Sequence, residues 1–273
     1  MQAIVLTAWD LARTADNQSR DPRARVMSLR THERLRLLAE AELGVPKHKR
    51  SFLKVGEENQ PGVLLIHDAD QTPAHLVPAA RALHKAGLTV HGQLLTEEGH
   101  DVTNRLEPRW RATLHQLRHG YQLLADSCNE VYVVGTGFGA SLAMLLAERE
   151  KVAGLVLLAP AVAPRVGLRL KLMRSLGLLR LPAVRRRMGK REDVLEGMQH
   201  ARDLAGKLEL PVFAAMCDDD DVVSPEALRM LQRKCRHQHS RFRAFGEGGH
   251  DVLSAHGSSS LDADIIDFIK NRG

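Results

Sequence analysis

The ten residues Val131-Tyr132-Val133-Val134-Gly135-Thr136-Gly137-Phe138-Gly139-Ala140 limit this chain more than any other segment. The run of valines with one tyrosine reads as a buried strand. Three glycines at alternate positions permit a tight turn, and the Ala- and Leu-rich stretch after them reads as a helix. A buried strand turning sharply into a helix is a unit of α/β architecture. The spacing is G-x-G-x-G rather than G-x-G-x-x-G, and the segment is not the first strand of its unit. A dinucleotide fingerprint is therefore rejected.

The rest of the chain repeats that rhythm. Val63 to Ile66 is a buried strand bounded by Pro61 and Gly62. Pro73 to Ala86 reads as a helix with proline in its first turn and Gly87 after its end. Leu88 to Val90, Val152 to Leu158 and Val212 to Met216 are further apolar strand candidates, and Leu106 to Leu124 is a long helix. Continuous apolar runs separated by helices predict an α/β fold with a mostly parallel sheet covered on both faces. Residues 1–50 read as a helical N-terminal extension, with Pro22 to Leu43 closed by Gly44 and Pro46.

Residues 161–209 break the alternation. Ten Arg and Lys residues and no acid lie between Pro164 and Arg191, interleaved with leucines and methionines. This segment is expected to be a basic helical cap, inserted between core segments 51–160 and 210–273. The net charge of +6 is concentrated in part there. A cap of this kind suits a lid over a small-molecule ligand. An anionic lipid or an acidic protein on its basic face is a second expectation. The six Phe, two Tyr and two Trp offer no stacking motif among the arginines, which argues against nucleic acid.

Cys128, Cys217 and Cys235 are odd in number and widely spaced, so they suggest neither a disulfide framework nor a metal motif. No phosphate loop and no H-E-x-x-H segment is present. The expectation is a cytoplasmic protein without cofactor or metal.

Taken in order, these segments resemble the α/β-hydrolase superfamily, and within it the bacterial carboxylesterase and monoacylglycerol lipase branch. The resemblance runs from about Phe52 to the C-terminus. Val63-Leu64-Leu65-Ile66-His67 is similar to the strand leading into the family's His-Gly oxyanion loop. Glu98-Gly99-His100 matches the next loop, and Trp110 matches a tryptophan opening the following helix. Gly135 to Gly139 resembles the nucleophile elbow G-x-S-x-G. Asp218-Asp219-Asp220-Asp221 resembles the loop of the triad acid, and Gly249-His250 that of the triad histidine.

The resemblance implies roles for particular residues. His250 is the expected base and Asp220 the expected acid, with Asp219 as runner-up and the other aspartates a solvated turn. Gly137 stands where the family carries its serine, and glycine has no oxygen with which to attack. Thr136 and Ser141 are the nearest hydroxyls, and neither is at the exposed tip. His67, Asp68, Ala69 and Phe138 make up the oxyanion region, with backbone donors expected from Ala69 and Phe138. Asp68 departs from the family's glycine. Either its carboxylate lies near the hole and repels a developing oxyanion, or it points to solvent and caps its turn.

Removing the serine of a triad lowers turnover by about 10⁶. The leading expectation is an esterase-like protein that binds a small apolar or acyl ligand without conventional ester hydrolysis. The absent side chain at 137 is expected to leave room near His250 for a water or a substrate atom. A His–Asp dyad could then act as general base in a lyase, hydratase or decarboxylase. The third alternative is an inactivated variant of an ordinary carboxylesterase.

Overall fold

The computed structural model describes residues 22–95, 109–163 and 182–271. Seven strands form one sheet: β1 Phe52–Lys54, β2 Gly62–Ile66, β3 Thr89–Gln93, β4 Val131–Thr136, β5 Gly154–Leu158, β6 Val212–Cys217 and β7 Arg241–Phe245. Their spatial order is β1-β3-β2-β4-β5-β6-β7. β1 pairs antiparallel with β3 and every other pairing is parallel. The helices are α1 Pro22–Glu42, α2 Val77–Lys85, α3 Arg109–Ala125, α4 Phe138–Ala147, α5 Pro182–Leu204, α6 Glu226–Lys234, α7 Val252–His256 and α8 Asp262–Lys270.

The apolar runs are continuous because both faces of the sheet are covered. Leu64, Ile66, Val133, Leu155 and Ala214 point into one core, with Leu117 and Leu124 of α3, Leu142 of α4 and Ala201 of α5. Val63, Leu65, Val134, Val156 and Phe213 point into the other, with Ala80 and Leu83 of α2 and Ile265 and Phe268 of α8. Each strand alternates between the two cores.

The expected elements form with shifted ends. The helix after β2 opens as a 3-10 turn over Pro73–Leu76 before α2 begins. Strands β1 and β7 are weakly marked in the sequence. β1 has only three residues, too few to show a period. β7 carries Arg241 and Arg243, which pair with Asp267 and Asp264 of α8. Charged side chains are a usual feature of an edge strand.

The extension is docked through polar groups. Glu33 of α1 accepts the Leu53 N–H of edge strand β1 at 2.8 Å. Glu40 accepts the Ser51 N–H at 2.8 Å and its hydroxyl at 2.5 Å. Leu29 is buried, whereas Leu38 and Leu43 are exposed. Residues 1–21, and 164–181 of the expected cap, lie outside the described residues, as does Glu98-Gly99-His100. Within the segment expected to form the cap, the described residues include α5, which packs on α4 and puts Ala201 into the core. A Cβ on Gly197 of α5 would lie 3.1 Å from the Phe138 ring and 3.2 Å from Trp110, so the glycine sets how closely the two helices approach.

Candidate functional site

The strand order changes direction at β2 and β4, whose following elements diverge to opposite sides. Open α/β sheets bind ligands at such a point, beyond the C-terminal ends of the strands. Ile66 pairs with Gly135, so His67-Asp68 and Thr136-Gly137 leave the sheet side by side. Asp220 follows β6 and His250 follows β7.

Gly137 is the turn between β4 and α4, at φ 54° and ψ −119°. Its N–H donates to Leu158 O at 2.9 Å, and its carbonyl accepts from Ala161 N–H at 3.1 Å. The turn is tight because Gly139 lies against β2: a Cβ there would stand 2.5 Å from the carbonyl oxygens of Ile66 and His67. Ser141 is buried, and its hydroxyl donates to Ala161 O at 3.2 Å. The Thr136 hydroxyl is buried without a partner.

His250 stands between two carboxylates. Its Nδ1 is 2.8 Å from Asp220 Oδ2, and its Nε2 is 3.1 Å from Asp68 Oδ2. Asp220 is fully buried, and its Oδ1 accepts the N–H groups of Val222 and Val223, each at 2.8 Å. Asp68 Oδ1 accepts Ala69 N–H at 2.7 Å and Phe138 N–H at 2.8 Å. The two backbone donors expected to serve an oxyanion thus converge on a carboxylate oxygen of the chain itself.

This geometry corrects the expectation of open room beside His250. A Cβ built on Gly137 would collide with all three carboxyl atoms of Asp68. The space a side chain at 137 would claim is filled by Asp68. Asp68 is not turned to solvent either: its side chain is 20% exposed, as is that of His250.

The charges follow from these contacts. Burial by itself would lower the pKa of His250, but hydrogen bonds to Asp220 and Asp68, with their charges, push it up to about 10. Burial would raise both carboxyl groups. Burial is the largest single influence, but the bond from His250, its charge and the backbone N–H groups (Phe138 and Ala69 at Asp68, Val223 and Val222 at Asp220) together outweigh it, and both end below the usual range. With both carboxylates ionised, as their lowered pKa values favour, two acceptors facing two ring nitrogens call for a doubly protonated imidazolium.

Sequence reasoning missed two supporting contacts. His67 is buried; its Nε2 accepts Leu95 N–H at 3.1 Å, which puts the proton on Nδ1, 2.7 Å from Asp68 O. The ring therefore braces the Asp68 backbone, and burial keeps its pKa down. Asp219, expected in a solvated turn or as substitute acid, accepts the N–H groups of Gly248 and Gly249 at 3.1 and 2.8 Å. Those glycines have φ of 135° and 66°. Asp219 thus ties down the turn that presents His250, and the Gly-Gly pair beside an acidic run was the available signal.

No protein-family model matches the chain. A thermostable monoacylglycerol lipase from Bacillus sp. (strain H-257) is 30% identical over 189 residues, covering 62% of this chain and 74% of that protein. The chain belongs to the lipase and esterase branch of the α/β-hydrolase superfamily. Solved structures agree in fold. The monoacylglycerol lipase of Paleococcus ferrophilus superposes with a TM-score of 0.64 at 15% identity, over 80% of this chain and 97% of its own. A metagenome-derived lipolytic enzyme gives a TM-score of 0.64 at 16% identity, over 82% and 98%. No helix among the described residues is long and apolar enough to cross a membrane.

Proposed function

We infer that this member of the lipase and esterase branch binds a small apolar or acyl ligand and does not hydrolyse esters through an acyl-enzyme. The observation carrying this reading is the Asp68 carboxylate, which stands 3.1 Å from His250 Nε2 in front of a tip residue without a side chain. A serine mechanism needs an oxygen nucleophile there, a neutral imidazole to take its proton, and free donors for the oxyanion. Here residue 137 has no side-chain oxygen, the pKa of His250 is raised so that the ring favours protons on both nitrogens, and both donors face a carboxylate oxygen. The same protonation argues against His250 as the general base of a lyase or hydratase, because a base needs an unprotonated nitrogen.

The test is hydrolysis of p-nitrophenyl acetate and octanoate by the unaltered protein. Turnover at the background rate is expected, with no change in His250→Ala. Fast hydrolysis that is lost in His250→Ala would overturn the reading.

A further inference from the structure

The Asp68 carboxylate shows what kind of group this site selects. One oxygen takes two backbone N–H groups, from Ala69 and Phe138, and the other faces the Nε2 of His250. Three donors and one positive charge converge on a planar, singly charged acid. Asp220 already faces the second nitrogen of the ring from a fully buried position.

An alcohol or an ester could offer acceptors to the same donors. Neither carries a charge, so the Nε2–H contact would be an ordinary hydrogen bond rather than the charge-assisted one that a carboxylate makes. Asp68 gives up three contacts on leaving, which an incoming carboxylate remakes. Asp68 follows β2 in a loop, its side chain is one-fifth exposed, and no Arg or Lys among the described residues is paired with it.

We propose that the site is a receptor for the carboxylate of an aliphatic acid, and that Asp68 is a tethered stand-in which the ligand's carboxylate displaces. This rests on the reading that an acyl-bearing ligand occupies the site, and it names the acid rather than the ester as that ligand. The exchange swaps one carboxylate for another on the same three donors. The electrostatic change is therefore small, and burial of the alkyl chain decides the outcome. Each added methylene tightens binding about fourfold where the chain is buried. Removing the tethered competitor raises apparent affinity by the reciprocal of the fraction of molecules in which Asp68 has swung out.

The experiment is calorimetric titration of the unaltered protein, Asp68→Ala, Asp68→Asn and His250→Gln with hexanoate, octanoate and octanol. Octanoate should bind the unaltered protein about fifteenfold more tightly than hexanoate and in clear preference to octanol. Asp68→Ala should bind octanoate at least about tenfold more tightly. Asp68→Asn, which keeps the side-chain shape, should move in the same direction. His250→Gln should lose the preference for the acid over the alcohol. Equal binding of octanoate and octanol, or unchanged octanoate affinity in both Asp68 variants, would overturn the proposal.

Ester turnover is followed in the same samples. Hydrolysis together with selective octanoate binding would overturn the non-hydrolytic reading alone. No hydrolysis together with no preference for the acid would overturn this proposal alone.

Discussion

At position 137 the backbone keeps the strained conformation of an elbow while the side chain is absent. A residue with a Cβ at φ 54° is strained by about 1–3 kcal/mol, and Asp68 already fills the space the Cβ would enter. Gly137→Ser alone should therefore lower the melting temperature by about 4–10 °C and remain inactive towards p-nitrophenyl esters. Adding Asp68→Gly should recover part of that loss, and a thermal double-mutant cycle reads the coupling directly. Charge gives a second prediction. His250 is raised from 6.5 to about 10, so its contribution to stability is complete below about pH 6.5 and is lost as pH rises towards 10. Asp68 and Asp220 are lowered, so theirs is present above their ordinary value of 3.8 and is lost as pH falls through their folded values. Together they contribute most between about pH 4 and 6.5. Urea midpoints should fall on the alkaline side, and the fall should flatten in Asp68→Asn.

At the scale of elements, the site is held by loops that follow β2, β4, β6 and β7 and are tied to one another. Asp219 links the β6 loop to the glycine turn before His250. Asp219→Ala should speed amide exchange at Gly248 and Gly249 while leaving the β4 amides unchanged, as hydrogen exchange can measure. The central strands were legible in the sequence because they are buried on both faces and so read as unbroken apolar runs. β1 was not, with three residues, and β7 was marked only by its place before the glycines, since its arginines pair with α8. The positions of Gly137, Asp220 and His250 after β4, β6 and β7 were equally legible, because each sits beside a glycine or an acidic run. The destination of Asp68 was not. A carboxylate two residues past a strand can cap its own turn or reach across to a neighbour, and only the pairing of β2 with β4 decides between them. The role of Asp219 was hidden for the same reason.

For the whole molecule, the strand order reverses at β2 and β4, and the chain brings a histidine and two carboxylates together beyond the C-terminal ends of the strands. The fold is that of lipases and esterases. Two linked features mark its site, a turn residue without a side chain and a loop aspartate that occupies the space beside it. Each is intelligible only with the other, since the carboxylate could not lie where it does beside any larger residue at 137. The account therefore stands on one ion triplet, Asp220–His250–Asp68, with an imidazolium at its centre. Nitrogen-15 NMR of the His250 ring between pH 5 and 11 tests it most directly. The account predicts that both ring nitrogens carry protons at pH 7 and that titration occurs near 10. A ring neutral at pH 7, with Nε2 unprotonated and a midpoint near 6.5, would contradict it.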